Sequence, residues 1–120
     1  MSANPPLDLP QIDALRAMSP ENGAEFLREL IDIYLQDTPA RLAELEQALV
    51  RQDAPAVARA AHTLKGSSSN FGAGQLTQLA QAIEAYGKAA NLAAAAAAVP
   101  ELKAEYARVA QTLTLIAAGT

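Results

Sequence analysis

Leu27, Ile31, Tyr34, Leu42, Leu45 and Leu49 recur close to every 3.6 residues. That spacing puts them on one face of an α-helix, where a strand would need alternation every second residue. The rhythm returns in Leu76, Leu79, Ala80 and Ile83, and again in Leu102, Tyr106, Val109, Leu113 and Ile116. Apolar residues make up 51% of the chain but aromatics only 4%, so there is little to build strands from. Ala, Leu, Glu and Gln all favour helix. The chain is expected to be all-α.

Punctuation divides the rhythm into elements. Residues 1–7, with Asn4-Pro5-Pro6, read as a disordered N-terminus. A short helix is expected from about Pro10 to Met18, with Ile12, Leu15 and Met18 spaced three apart. Ser19-Pro20-Glu21-Asn22 reads as a turn. A long helix covers about 21–51, with a kink expected at Thr38-Pro39. Asp53 is a suitable N-cap for a helix over about 54–70, with Pro55 close behind it. Asn70-Phe71-Gly72-Ala73-Gly74 reads as a turn, and another helix follows over about 75–88. After a break at Ala89-Ala90-Asn91, the alanine-rich stretch 92–99 is expected to be helical. Pro100 either kinks that helix or opens a new one running to about Ile116. The sum is an antiparallel four-helix bundle with a short extra N-terminal helix, one domain over residues 8–118.

Composition removes several functions. The net charge is -4 and no basic cluster is present, which argues against a nucleic-acid partner. There is no cysteine and one histidine, so neither a disulfide nor a metal site built from several histidines or thiolates is expected from one copy of the chain. No apolar run reaches the roughly 18 residues that cross a bilayer, so no membrane insertion is expected. MSANPPLDLP does not resemble a secretory signal, and a cytoplasmic protein is the expectation.

The single histidine lies in Ala60-Ala61-His62-Thr63-Leu64-Lys65-Gly66-Ser67-Ser68-Ser69. With His62 at zero on a helical wheel, Leu64 falls near about 200°, Val57 near about 220° and Phe71 near about 180°. Those residues mark the buried side, so His62 should face solvent. Ala58, Arg59, Lys65, Gly66 and Ser69 share its face, and three of the five are small. Such a ring is open to a large partner. Neutral imidazole is a good nucleophile near neutral pH, and phosphoryl transfer needs positioning and charge stabilisation more than elaborate covalent machinery. Lys65, one turn on, can reach phosphate oxygens, and Gly66 removes a side chain where a partner would collide.

A second candidate follows from geometry. If the turn centres on Ala73, His62 lies eleven residues before it and Glu84 eleven after it. Two antiparallel helices of equal rise then bring Glu84 level with His62. Its carboxylate could accept a hydrogen bond from Nδ1–H and leave the Nε2 lone pair outward.

Plainer readings exist for each residue. A lone surface histidine is commonly a surface residue and nothing more, and Lys65 or Glu84 alone would commonly be a solvated flank. Yet Lys at i+3 with Gly at i+4 follows a given histidine by chance only about once in 200–300. Gly66 in mid-helix also costs about 1 kcal/mol against Ala. Tyr34, Tyr86 and Tyr106 read as core or core-edge residues. A helical adaptor with His62 incidental is the rival function. A hydrolase using His62 as base is weaker, because no nucleophile and orienting partner accompany it.

At His62-Thr63-Leu64-Lys65-Gly66, the small run Ser67-Ser68-Ser69, Gly72, Leu76, Leu79 and Glu84, the chain resembles the histidine-containing phosphotransfer (HPt) domain family of two-component phosphorelays. The Phe26 to Leu49 stretch, with Pro39 inside it, also resembles that family's long second helix. The likeness runs from about residue 8 to residue 117. It implies that His62 accepts a phosphoryl group from a receiver-domain aspartate and returns it to another. It implies further that Lys65 steadies the phosphate, Gly66 permits docking and Glu84 orients the ring. Some family members carry Gln at the position of Glu84. No cofactor or autonomous kinase activity is expected, and any Mg²⁺ would belong to the partner receiver domain. The partners implied are receiver domains of response regulators or of a hybrid sensor kinase, the chain itself being a monomer. Docking is expected over Ala58, Arg59, His62, Gly66 and Ser69, with Ile12 and Leu15 contributing.

Overall fold

A computed structural model describes residues 5–119 of the chain. Among them are five helices and no strand: α1 (Leu9–Ala17), α2 (Gly23–Val50), α3 (Ala54–Ser69), α4 (Gly74–Lys88) and α5 (Leu92–Gly119). The last four form the bundle, each packed on two neighbours in the order α2, α3, α4, α5 and back to α2. Helix α1 packs on α2. The architecture is the one expected from the apolar spacing.

Local chemistry sets the ends. Asp53 accepts a hydrogen bond from the Ala56 amide at 3.1 Å and caps α3, with Pro55 in the first turn, where its missing N–H costs nothing. Asn91 does the same for α5 through the Ala94 amide at 3.2 Å. The turn between α3 and α4 needs Gly72, whose φ is +67°. A Cβ there would also meet the Asp8 Cβ at 2.6 Å. The Asp8 amide donates to the Gly72 carbonyl at 3.0 Å, tying the chain's start to this turn. Gln52 and Ala90, after α2 and α4, take positive φ without being glycine.

Both long helices stay helical across their prolines, Pro39 in α2 and Pro100 in α5, so Pro100 opens no new helix. Each ring sits on an exposed face, where water can satisfy the carbonyl that its missing N–H leaves open. Residues 1–4 of the expected N-terminal lead-in lie outside the described residues. Within the rest of it Leu7 is buried, so apolar packing begins before α1.

Leu27, Ile31, Leu45, Val57, Ile83 and Leu102 are wholly buried at the centre. In α2 the stripe turns through Ala48, while Leu49 packs only at the edge. Tyr34 is buried between Phe71 and Tyr106, with ring centroids 5.0 and 6.0 Å away. Its hydroxyl and the Ser68 Oγ share a hydrogen bond of 2.8 Å. Burial pushes the Tyr34 phenol up to about 12. Tyr86 is exposed, unlike the other two tyrosines.

Candidate functional site

Helix α3 turns Val57, Ala61 and Leu64 into the core, and its opposite face carries His62. The imidazole is 66% exposed. Its Nδ1 lies 2.9 Å from Oε2 of Glu84 on α4, and Nε2 has no hydrogen-bond partner among the described residues. Glu84 is only 7% exposed, at the seam where α3 and α4 meet. Its other oxygen, Oε1, receives Lys65 Nζ at 2.7 Å. Lys88, one turn after Glu84, reaches Oε2 at 3.2 Å.

One buried carboxylate therefore gathers an imidazole and two ammonium groups. The Lys65 ammonium is the chief reason that the Glu84 carboxyl is pulled down to about 2; Lys88 and His62 add to the pull and burial opposes it. Near neutral pH Glu84 is ionised and can only accept. The hydrogen between Oε2 and Nδ1 thus belongs to the imidazole, which fixes the tautomer of the neutral ring. Its Nε2 lone pair faces solvent.

The structure brings together the three side chains that the sequence singled out. It also changes what Lys65 touches: the ammonium rests on Glu84, so in this state it positions the carboxylate. Lys88 is a member that sequence reasoning missed, although its i+4 spacing from Glu84 was visible. Gly87 is another, because a Cβ on it would come within 2.8 Å of the Ala58 nitrogen. Only glycine lets α4 approach α3 so closely beside the site.

The surrounding face is mixed. Arg59, Gly66 and Ser69 are exposed as expected, but Ala58 is half-buried beneath α4. A Cβ on Gly66 would meet nothing within 4 Å, so no contact within the chain demands glycine there. The serine run divides. Ser67 and Ser69 bond back to carbonyls of their own helix, and Ser68 is buried against Tyr34. Ile12 is in the core, and Leu15 is buried at the base of a groove, so neither is the exposed docking residue expected. That groove, about 450 Å³, has Met18, Phe26, Leu30 and Ile33 on its walls. Met18 and Ile33 are the exposed apolar groups. Ser67 and Asn70 join the groove to the His62 face.

A helical bundle that offers one imidazole to solvent and grips it from behind with a buried carboxylate defines a phosphotransfer-type bundle. The Hpt domain family model matches residues 29–112, and the chain belongs to that family. It is 34% identical over 94 residues to the "Phosphorelay intermediate protein rdeA" of Dictyostelium discoideum. That alignment covers 78% of this chain and 37% of the relative, so the chain spans well under half of the relative's length. The crystal structure of histidine-containing phosphotransfer protein B (HptB) from Pseudomonas aeruginosa PAO1 superposes with a TM-score of 0.88 at 28% identity. That match covers 99% of both chains. Among the described residues no helix is long and apolar enough to cross a membrane.

Proposed function

We propose that this chain is a phosphorelay intermediate that takes a phosphoryl group onto Nε2 of His62 from a receiver-domain aspartate and gives it to another. The observation that carries the reading is the 2.9 Å contact between Nδ1 and Glu84, which presents the other nitrogen to solvent as a lone pair. In the forward step the Nε2 lone pair attacks phosphorus and the bond to the aspartate oxygen breaks, leaving a free carboxylate. The reverse step restores the acyl phosphate on a second receiver. Positioning and charge do the catalytic work, as is usual in phosphoryl transfer. Glu84 orients the ring, and Lys65 and Lys88 supply ammonium groups within a turn of it.

The chain contributes the phosphorylated residue and a docking face, and acts as a carrier without kinase activity of its own. Mg²⁺ for the transfer sits in the receiver's acidic pocket. Docking covers Arg59, Gly66 and Ser69 and extends into the groove edged by Met18 and Ile33, which is where an apolar helix face of the receiver is accommodated. A monomer in the cytoplasm fits this reading. Membership of the Hpt family and the similarity to the Dictyostelium phosphorelay intermediate support the relay role.

The test is to mix the chain with a receiver domain already phosphorylated on aspartate. Phosphate that is acid-labile and base-stable should appear on the chain. It should vanish in His62→Gln, with melting almost unchanged because the ring is outside the core. Binding without transfer across a panel of receivers would make the chain an adaptor instead.

A further inference from the structure

Glu84 is an acceptor on both sides. Oε1 faces Lys65 Nζ, and Oε2 faces both His62 Nδ1 and Lys88 Nζ. An ionised carboxylate has no hydrogen to give, so every hydrogen in these contacts comes from the partner. At 7% exposure it cannot turn to water for relief. A bare Nδ1 would set a lone pair against Oε2, in a place where an unsatisfied charge is costly.

We propose that Glu84 also holds the proton on Nδ1 after Nε2 has been phosphorylated, so that the phosphohistidine of this chain is a labile donor and not a lasting store. The inference rests on His62 being the phosphorylated residue. With phosphorus on Nε2 and hydrogen on Nδ1, both nitrogens are substituted and the ring is cationic. When the phosphoryl group leaves, the electron pair of the P–N bond returns to Nε2 and the departing group is neutral imidazole. The Nδ1 proton never moves. If Nδ1 were bare, the departing group would be imidazolate, a far stronger base and a poorer leaving group.

The charged groups around this proton are few. Helix α4 contributes Glu84 and Lys88, and α3 contributes Lys65, with Arg59 three residues before His62. The other bundle helices, among the described residues, make ion pairs elsewhere: Arg41 with Asp37 and Glu44 in α2, Arg108 with Glu105 in α5, and Lys103 of α5 with Glu46 of α2.

Glu84→Gln reverses the polarity with little change of shape. Its single oxygen is taken by Lys65, and its NH₂ then faces Nδ1 as a donor that favours the bare nitrogen. The experiment labels wild type and Glu84→Gln with phosphoramidate, a small P–N donor that needs no receiver. Loss of the label carried on Nε2, told from label on Nδ1 by phosphorus–nitrogen coupling, is then followed by phosphorus NMR between about pH 6 and about pH 9. For wild type the change from labile to stable phosphohistidine should lie about one pH unit higher than in the variant. Near pH 8 wild type should therefore lose its label about tenfold faster. Coincident profiles overturn the inference. Nitrogen NMR of the unphosphorylated rings gives a second reading that a merely structural role for Glu84 would not produce. Wild type should carry its hydrogen on Nδ1 and the variant should shift it toward Nε2. A wild-type ring protonated on Nε2 also overturns the inference. Failure of phosphoramidate to label His62 sinks the inference and the relay reading together. Labelling by phosphoramidate with none from receivers sinks only the relay reading.

Discussion

Gly87 of α4 presses on Ala58 of α3 so closely that a β-carbon on the glycine would stand 2.8 Å from the Ala58 nitrogen and 3.1 Å from its Cα. Neither of those atoms can swing aside, because both are backbone. The contact lies one turn from both His62 and Glu84, so it sets the spacing across which their hydrogen bond forms. Gly87→Ala should force the helices apart and lower stability by about 1–2 kcal/mol, overpacking outweighing the gain in helix propensity. Phosphoryl uptake should slow as Glu84 loses its grip on the ring. Urea midpoints and labelling rates check both; an unchanged midpoint would show that the helices yield freely.

Gly66 is the opposite case, since its absent side chain faces open space. Gly66→Ala should be neutral or stabilising by up to about 1 kcal/mol. Transfer from a phosphorylated receiver should nonetheless fall by about tenfold or more, because a methyl group on the docking face displaces the reacting atoms. Labelling by a small donor should hardly change. Equal losses with both donors would place the defect in the chemistry and not in docking.

Acid should undo the site in a defined window. The Glu84 carboxyl lies at about 2 in the folded chain, against an ordinary value of 4.5. Its contribution to stability is therefore complete above about pH 5 and is lost as pH falls toward 2. Glu84→Gln lacks this contribution. The difference in unfolding free energy between wild type and variant should be largest near neutral pH and shrink steadily below about pH 5. A difference that stays constant from about pH 7 to about pH 2 would mean that the carboxylate gains nothing from Lys65.

Much of this arrangement was legible in the sequence, for identifiable reasons. Apolar spacing gave the helices because each buries one stripe. The pairing of His62 with Glu84 could be counted out because the α3–α4 turn is short and both helices rise equally. What escaped depends on how helices face one another in three dimensions. Leu15 and Met18 share a spacing, yet Leu15 is buried and Met18 is 69% exposed, a choice made by where α1 rests on α2. Gly87 carries no signal of its own in the sequence, and only the crossing with Ala58 reveals its use. Lys65 looked free to meet phosphate, and only the buried carboxylate shows what holds it. Gln52 and Ala90 end helices with positive φ although neither is a glycine, so no residue type announced them.

The measurement that bears most directly on this account is the position of the phosphoryl group after transfer from a receiver. Phosphorus–nitrogen coupling in chain labelled with heavy nitrogen distinguishes the two ring atoms. Phosphorus should be bonded to Nε2 of His62, with hydrogen still on Nδ1. Phosphorus on Nδ1, or on a serine or threonine hydroxyl, would contradict it.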